Sequence, residues 1–383
     1  MCLSGIKAAF VVAIAIPLAL NSVETEGQAE EIRIFVSSFA PTGEAGIYAY
    51  TVNGQTGVVT ETSRYTNIGN PFFLSLSPDK STLYSIHAEN GFGGEKHEEV
   101  AAFKVIDASG KLKLLNKKST HGTASCYLDV GKKGNLLVVA NYSTGDVASY
   151  PLKRDGAVQE SATFYEHEGS SVNERRQQEP HAHCIVVSPD NKYVYSADLG
   201  IDQIVAYKIA KNGQIHPLGD KLNAEVAPGS GPRHLTFHPN GKHAYVINEL
   251  LNTITVFDYS PRNGALKEIQ TITTLPPAFK GVSHTADVKL SPDGRFAYGT
   301  NRGHDSIACY RVQEDGRLRL IEIVSSSGAG PQNLAVTHDG KMLICANMAG
   351  NNFAVFHIDQ SEGKLTQAGE SHELVAPSCI MLR

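Results

Sequence analysis

Short apolar runs recur along the chain, each closed by a polar turn and followed by a second apolar run. Phe73-Leu74-Ser75-Leu76 leads into Ser77-Pro78-Asp79, Cys184-Ile185-Val186-Val187 into Ser188-Pro189-Asp190, and Val288-Lys289-Leu290 into Ser291-Pro292-Asp293. Strand-like runs follow, such as Tyr193-Val194-Tyr195-Ser196 and Ile204-Val205-Ala206-Tyr207-Lys208, then a glycine turn and a short fourth run. β-Branched and aromatic residues bounded by Asn, Asp and Gly predict β-meanders. No stretch keeps a helical period over three turns.

The turn also appears as His238-Pro239-Asn240 and Thr337-His338-Asp339, with a weaker copy near Asp129-Val130-Gly131. From 189 to 239, 292 and 338 the steps are 50, 53 and 46, and the 111 residues from 78 to 189 make two steps. Four strands per repeat of about 50 residues is the signature of propeller blades. Segment 31–65 supplies outer strands without an inner one. The chain end, Ala376-Pro377-Ser378-Cys379-Ile380-Met381-Leu382, supplies an inner strand with nothing after it. Joining them completes a seventh blade and protects both sheet edges. The fold class expected is all-β: a seven-bladed β-propeller of four-stranded blades, closed by the C-terminal strand.

Composition narrows the picture. At 383 residues, several domains or a repeat architecture are expected. The absence of Trp excludes blades built on Trp-Asp dipeptides. A net charge of −5 leaves no nucleic-acid footprint. Lys7, thirteen residues without a polar side chain (8–20) and the small-residue site Gly27-Gln28-Ala29 predict a secretory signal. The apolar stretch is too short to span a bilayer, which needs about 20 residues. The expected organisation is a signal peptide over 1–29 and one propeller domain over 30–383, exported to the periplasm or medium without stable membrane insertion. Five cysteines then remain, in apolar surroundings and without a zinc or disulfide pattern, and read as buried thiols.

Topology sorts the polar residues. The loop before each inner strand and the loop after each second strand share one face, around the central channel. Nine residues after the turn marker stand Asp198, Asn248, Asn301, Asn347 and His87, a repeated position suited to a turn cap. One residue further stand Leu199, Glu249, Arg302 and Met348, which differ in every copy. Six residues before the marker stand Phe72, His183, Arg233, Ala286 and Gln332. Unrepeated charges at a repeated position need a reason other than the blade itself. His181, His183, Arg233, Glu249 and Arg302 are therefore expected at one channel mouth, where His87, Asp198, His284 and His304 can add to the pocket. The polar insertion 165–179 carries Arg176 and Gln177 toward the same face.

Arginine offers forked donors to a carboxylate, a phosphate or a developing oxyanion. His or Glu can take a proton from water. A cation is disfavoured by the arginines, and no cofactor is expected. No Gly-x-Ser-x-Gly elbow, P-loop or dinucleotide fingerprint is present.

Over residues 31–383 the sequence resembles the seven-bladed propeller lactonases, a family that includes a type of 6-phosphogluconolactonase and, more distantly, fungal carboxy-muconate lactonizing cycloisomerases. The resemblance is carried by Gly169-Ser170-Ser171-Val172-Asn173, Arg176-Gln177, Pro180-His181-Ala182-His183 and Gly231-Pro232-Arg233-His234. Asn248-Glu249-Leu250 and Asn301-Arg302-Gly303-His304-Asp305 continue it. It implies a metal-independent site for a small-molecule lactone, with His181, Arg233, Glu249 and Arg302 as acting residues; His183, Arg176, Asp198, His284 and His304, on the same channel face, are expected as substrate contacts. One departure is Gly330-Pro331-Gln332-Asn333, where such sequences often carry Arg after the proline. The expected reaction is hydrolysis of 6-phosphogluconolactone or of an unphosphorylated aldonolactone. Muconate-type cycloisomerisation and a non-catalytic extracellular binding propeller are the alternatives.

Overall fold

Each Ser-Pro-Asp marker is a side-chain-locked turn. The Ser77, Ser188 and Ser291 hydroxyls donate to Asp79, Asp190 and Asp293 at 2.6–2.7 Å, and Thr337 donates to Asp339 in the same way. Each hydroxyl also accepts the backbone N–H that opens the next strand, at 3.0 Å in all four turns. The carboxylate accepts the N–H two residues after itself, so the hydroxyl and the carboxylate of each marker are both used. Asp293→Ala is expected to cost about 1 kcal/mol, because the turn loses hydrogen bonds to a charged acceptor. A shifted denaturant midpoint with an unchanged slope would show it.

The computed structural model describes residues 31–41, 43–88 and 98–383, with Met1, Cys2, Gly5 and Ala9; apart from those four, the predicted signal segment lies outside the described residues. The described residues form seven antiparallel sheets arranged as blades. The inner strands are Pro71–Leu76, Ser125–Val130, Ala182–Val187, Pro232–Phe237, His284–Leu290, Pro331–Val336 and Pro377–Leu382. The last pairs with Glu31–Ser38, so the C-terminal strand completes the N-terminal blade and closes the ring. The fourth and seventh blades divide their outer strand into two short pieces, Ile215–Pro217 with Ala224–Glu225 and Leu365–Gln367 with His372–Glu373.

Second strands such as Leu136–Asn141 and Met342–Asn347 are buried along their whole length, because neighbouring blades cover both faces. That burial explains why they read as continuous apolar runs and not as alternating ones. Cys126, Cys184, Cys309, Cys345 and Cys379 are buried free thiols. No helix among the described residues is long and apolar enough to cross a membrane. The repeated Asn fastens one blade to the next: Asn141, Asn301 and Asn347 donate to the carbonyls of Thr120, Thr274 and Ser326 at 2.9 Å.

Candidate active site

Pairing of each inner strand with its neighbour slips at one place. In six blades a single residue is left over: Phe72, Cys126, His183, Arg233, Gln332 and Ser378. In the sixth blade two residues, Ala286 and Asp287, oppose Thr300. A β-bulge re-aims the extra side chain out of the sheet's alternation. The bulges therefore turn side chains of five blades toward the channel mouth. A second ring comes from residues at or just after the ends of the second strands.

These two rings enclose a cleft of about 400 Å³, in the range of small-molecule sites. Phe72, Cys126, His183, Arg233 and Gln332 come from the bulges, and Tyr142, Glu249, Arg302 and Met348 from the second ring. Arg176 reaches in from the insertion between the third and fourth blades. That insertion is anchored rather than loose. Ser171 donates to Asp202 at 2.5 Å, and Asp202 also accepts the Gly229 and Gly231 N–H groups. Buried Gln177 donates to the Leu199 carbonyl. Gly231 has a φ of +63°, and a Cβ there would meet Leu250 at 2.6 Å, so glycine is required just before Pro232 and Arg233.

Glu249 stands at the centre. Its Oε1 accepts from Arg176 Nη2 at 2.7 Å, and its Oε2 from Arg233 Nε at 3.0 Å and Arg302 Nη2 at 2.8 Å. Burial pushes this carboxyl up, but Arg302 and Arg233 outweigh it and hold the group well below the usual carboxylate range. Glu249 is thus a weak base and a strong organiser of guanidiniums. Three arginines against one carboxylate leave the cleft at net +2.

Two groups retain unused capacity. Arg233 is 1% exposed; its Nε is on Glu249 and its Nη1 on the Ala286 carbonyl and His234, while Nη2 has no partner among the described residues. Burial lowers its pKa to about 10, with repulsion from Arg302 adding to the effect, and the group is still cationic at neutral pH. His183 has no hydrogen-bond partner for Nδ1, and its Nε2 lies 3.9 Å from Glu249 Oε2. Burial, reinforced by Arg233, pushes this imidazole well below its ordinary 6.5, so it is neutral at pH 7.

The structure brings Arg176, His183, Arg233, Glu249 and Arg302 around one cleft and places the other expected residues elsewhere. His181 stacks on Tyr142 at 4.5 Å, with Nδ1 at 3.0 Å from the Tyr142 carbonyl, so it backs the wall instead of forming it. Asp198 is fully buried on His167, the His181 N–H and the Gly200 N–H. His304 bonds Ser306 and meets the Phe279 ring edge, and His284 gives its carbonyl to Arg302. His87 is buried 3.6 Å from Glu99. Tyr142 escaped the sequence reading because its blade lacks the Ser-Pro-Asp marker. The turn lies at Gly131-Lys132-Lys133, two residues after the Asp129-Val130-Gly131 expected from the sequence, and ten residues from Lys132 lead to Tyr142. Among the described residues, no three His, Cys, Asp or Glu side chains are grouped to hold a metal ion.

The family profile described as "Lactonase, 7-bladed beta-propeller" matches residues 33–382. The chain is 33% identical over 347 residues to a 6-phosphogluconolactonase of Bacillus subtilis, covering 90% of this chain and 97% of that one. It is also 33% identical to a 6-phosphogluconolactonase of Formosa agariphila, covering 87% and 94% of the two chains. A solved periplasmic gluconolactonase of Pseudomonas aeruginosa superposes with a TM-score of 0.86 at 29% identity, covering 92% of this chain and 99% of that one.

Proposed function

The chain belongs to the seven-bladed β-propeller lactonase family, and from that premise we propose that it hydrolyses an aldonolactone, opening a sugar-acid ring ester to the free acid. One observation carries the reading: a neutral, uncommitted imidazole (His183) and an uncommitted guanidinium edge (Arg233 Nη2) line the same cleft. His183 takes a proton as water adds to the lactone carbonyl, and Arg233 Nη2 donates to the oxyanion that forms. When the tetrahedral intermediate collapses, the ring C–O bond breaks and the imidazolium returns its proton to the leaving alkoxide. Glu249 holds the three guanidiniums in register. In this scheme proton transfer falls to His183, while Glu249 and His181, both expected from the resemblance as acting residues, hold the arginines and back the wall.

The favoured substrate is unphosphorylated, such as glucono-1,5-lactone. Arg302 is largely committed to Glu249, Gln332 and the carbonyls of His284 and Thr285, and Gln332 adds no charge. The predicted export signal supports the same choice, as does the periplasmic gluconolactonase among the structural relatives. The 6-phosphate is the second reading, favoured by the cleft's net positive charge. Comparing kcat/KM for glucono-1,5-lactone and its 6-phosphate decides between them; a higher value for the phosphate overturns the choice of substrate.

His183→Asn is expected to lower kcat by about 10²-fold. Because burial lowers the His183 pKa, the base stays deprotonated as pH falls through 6.5. The acid limb of kcat/KM is therefore expected below 6.5, and a limb centred at 6.5 or above contradicts the assignment.

A further inference from the structure

Beneath the cleft lies a third ring, formed by the residues that directly follow the bulges in six blades: Phe73, Tyr127, Cys184, His234, Asn333 and Cys379. In the sixth blade the bulge is one residue wider, and Asp287 takes the equivalent place. Asp287 is fully buried and satisfied on both oxygens. Oδ1 faces His234 Nδ1 at 2.8 Å, and Oδ2 accepts Asn333 Nδ2 at 2.8 Å and the Leu334 N–H at 2.9 Å. Lys289 Nζ contacts both oxygens at 2.8 Å.

The opposite edge of the His234 ring points up, with Nε2 at 2.9 Å from Arg233 Nη1. A guanidinium can only donate, so Nε2 must be the bare acceptor and Nδ1 must carry the proton that goes to Asp287. The contacts fix one tautomer. We propose that Asp287 and His234 are positioning residues for Arg233: the carboxylate locks His234 as the Nδ1–H form, and the bare Nε2 holds the guanidinium with Nη2 facing the cleft. The neutral state this requires agrees with burial and Arg233, which lower the His234 pKa to about 3. Tyr127 and Phe73 pack against the ring in edge-to-face contacts at 4.9 and 5.8 Å.

The inference rests on the reading of Arg233 as the oxyanion donor, so its test combines a readout of the tautomer with one of catalysis. In full-length wild-type protein labelled with 15N-histidine, His234 is expected to show a protonated Nδ1 and an unprotonated Nε2 at pH 7. A protonated Nε2 overturns the proposal, and this measurement needs no variant to fold. His234→Leu removes the acceptor and is expected to lower kcat on glucono-1,5-lactone by about 10²-fold, in line with loss of oriented oxyanion stabilisation, with KM changed less than about threefold. His234→Gln returns an amide oxygen near the Nε2 position and is expected to recover at least about tenfold of that loss, as the oriented donor is restored. Equal kcat in the Leu and Gln variants, or a Leu variant at the wild-type kcat, overturns the proposal. Wild-type protein inactive on every lactone would instead sink the functional reading, while the tautomer would still report on the Asp287–His234–Arg233 chain.

Discussion

Replacing Arg233 by Met is expected to lower kcat for lactone hydrolysis by about 10³-fold, with KM changed less than about threefold, as for a donor used mainly in the transition state. The basis is the division of labour within one guanidinium. Nε and Nη1 are spent on Glu249, His234 and the Ala286 carbonyl, which fix the plane of the group, while Arg233 lines the cleft and its Nη2 has no partner among the described residues. Methionine keeps most of the apolar stem in a site that is 1% exposed, and Arg302 and Arg176 still hold Glu249. The variant should therefore fold, and steady-state kinetics beside a melting curve separates the two effects. A loss in kcat below about tenfold would assign the oxyanion to another donor.

Glu249→Gln is expected to be the most destabilising single substitution in the site, at about 3–5 kcal/mol, because it leaves buried positive charge uncompensated. The carboxylate is 4% exposed and is the shared partner of Arg176, Arg233 and Arg302. An amide has one acceptor oxygen for three guanidiniums and no charge. The pH dependence follows from the lowered folded-state pKa of Glu249. Its contribution is fully present above its ordinary value of 4.5 and is lost as pH falls toward the lower folded value. The stability gap between wild type and variant should thus be constant from pH 8 to 6 and shrink below about 4.5. Chemical denaturation at a series of pH values measures it. A gap that widens on acidification would show that Glu249 is not the anionic centre.

Much of the fold was legible because blade punctuation is local chemistry. A hydroxyl, a proline and a carboxylate in sequence build the same turn at 77, 188 and 291, and the spacing between turns counts the blades. Ring closure was legible for a related reason: outer strands at one end and a lone inner strand at the other have one economical pairing. In the site, charges that break a repeat marked Glu249, Arg302, Arg233 and His183, all of which line the cleft. The choice between His181 and His183 was not legible. His181 stands just before the strand Ala182–Val187 and His183 within it, and the bulge at His183 decides which ring enters the cleft. A bulge is a property of pairing between strands, invisible along one of them. Asp287 shows the same limit: it shares its place in the ring with His234 and Asn333, and which residues sit there is set by pairing across strands.

The most direct test of the account is the rate of glucono-1,5-lactone opening at pH 7, followed as proton release with and without the purified protein. The predicted result is a rate well above the spontaneous one, proportional to protein concentration and reduced to background in the folded Arg233→Met variant. Wild-type protein that leaves both glucono-1,5-lactone and its 6-phosphate at the spontaneous rate would contradict the assignment of this cleft to lactone hydrolysis.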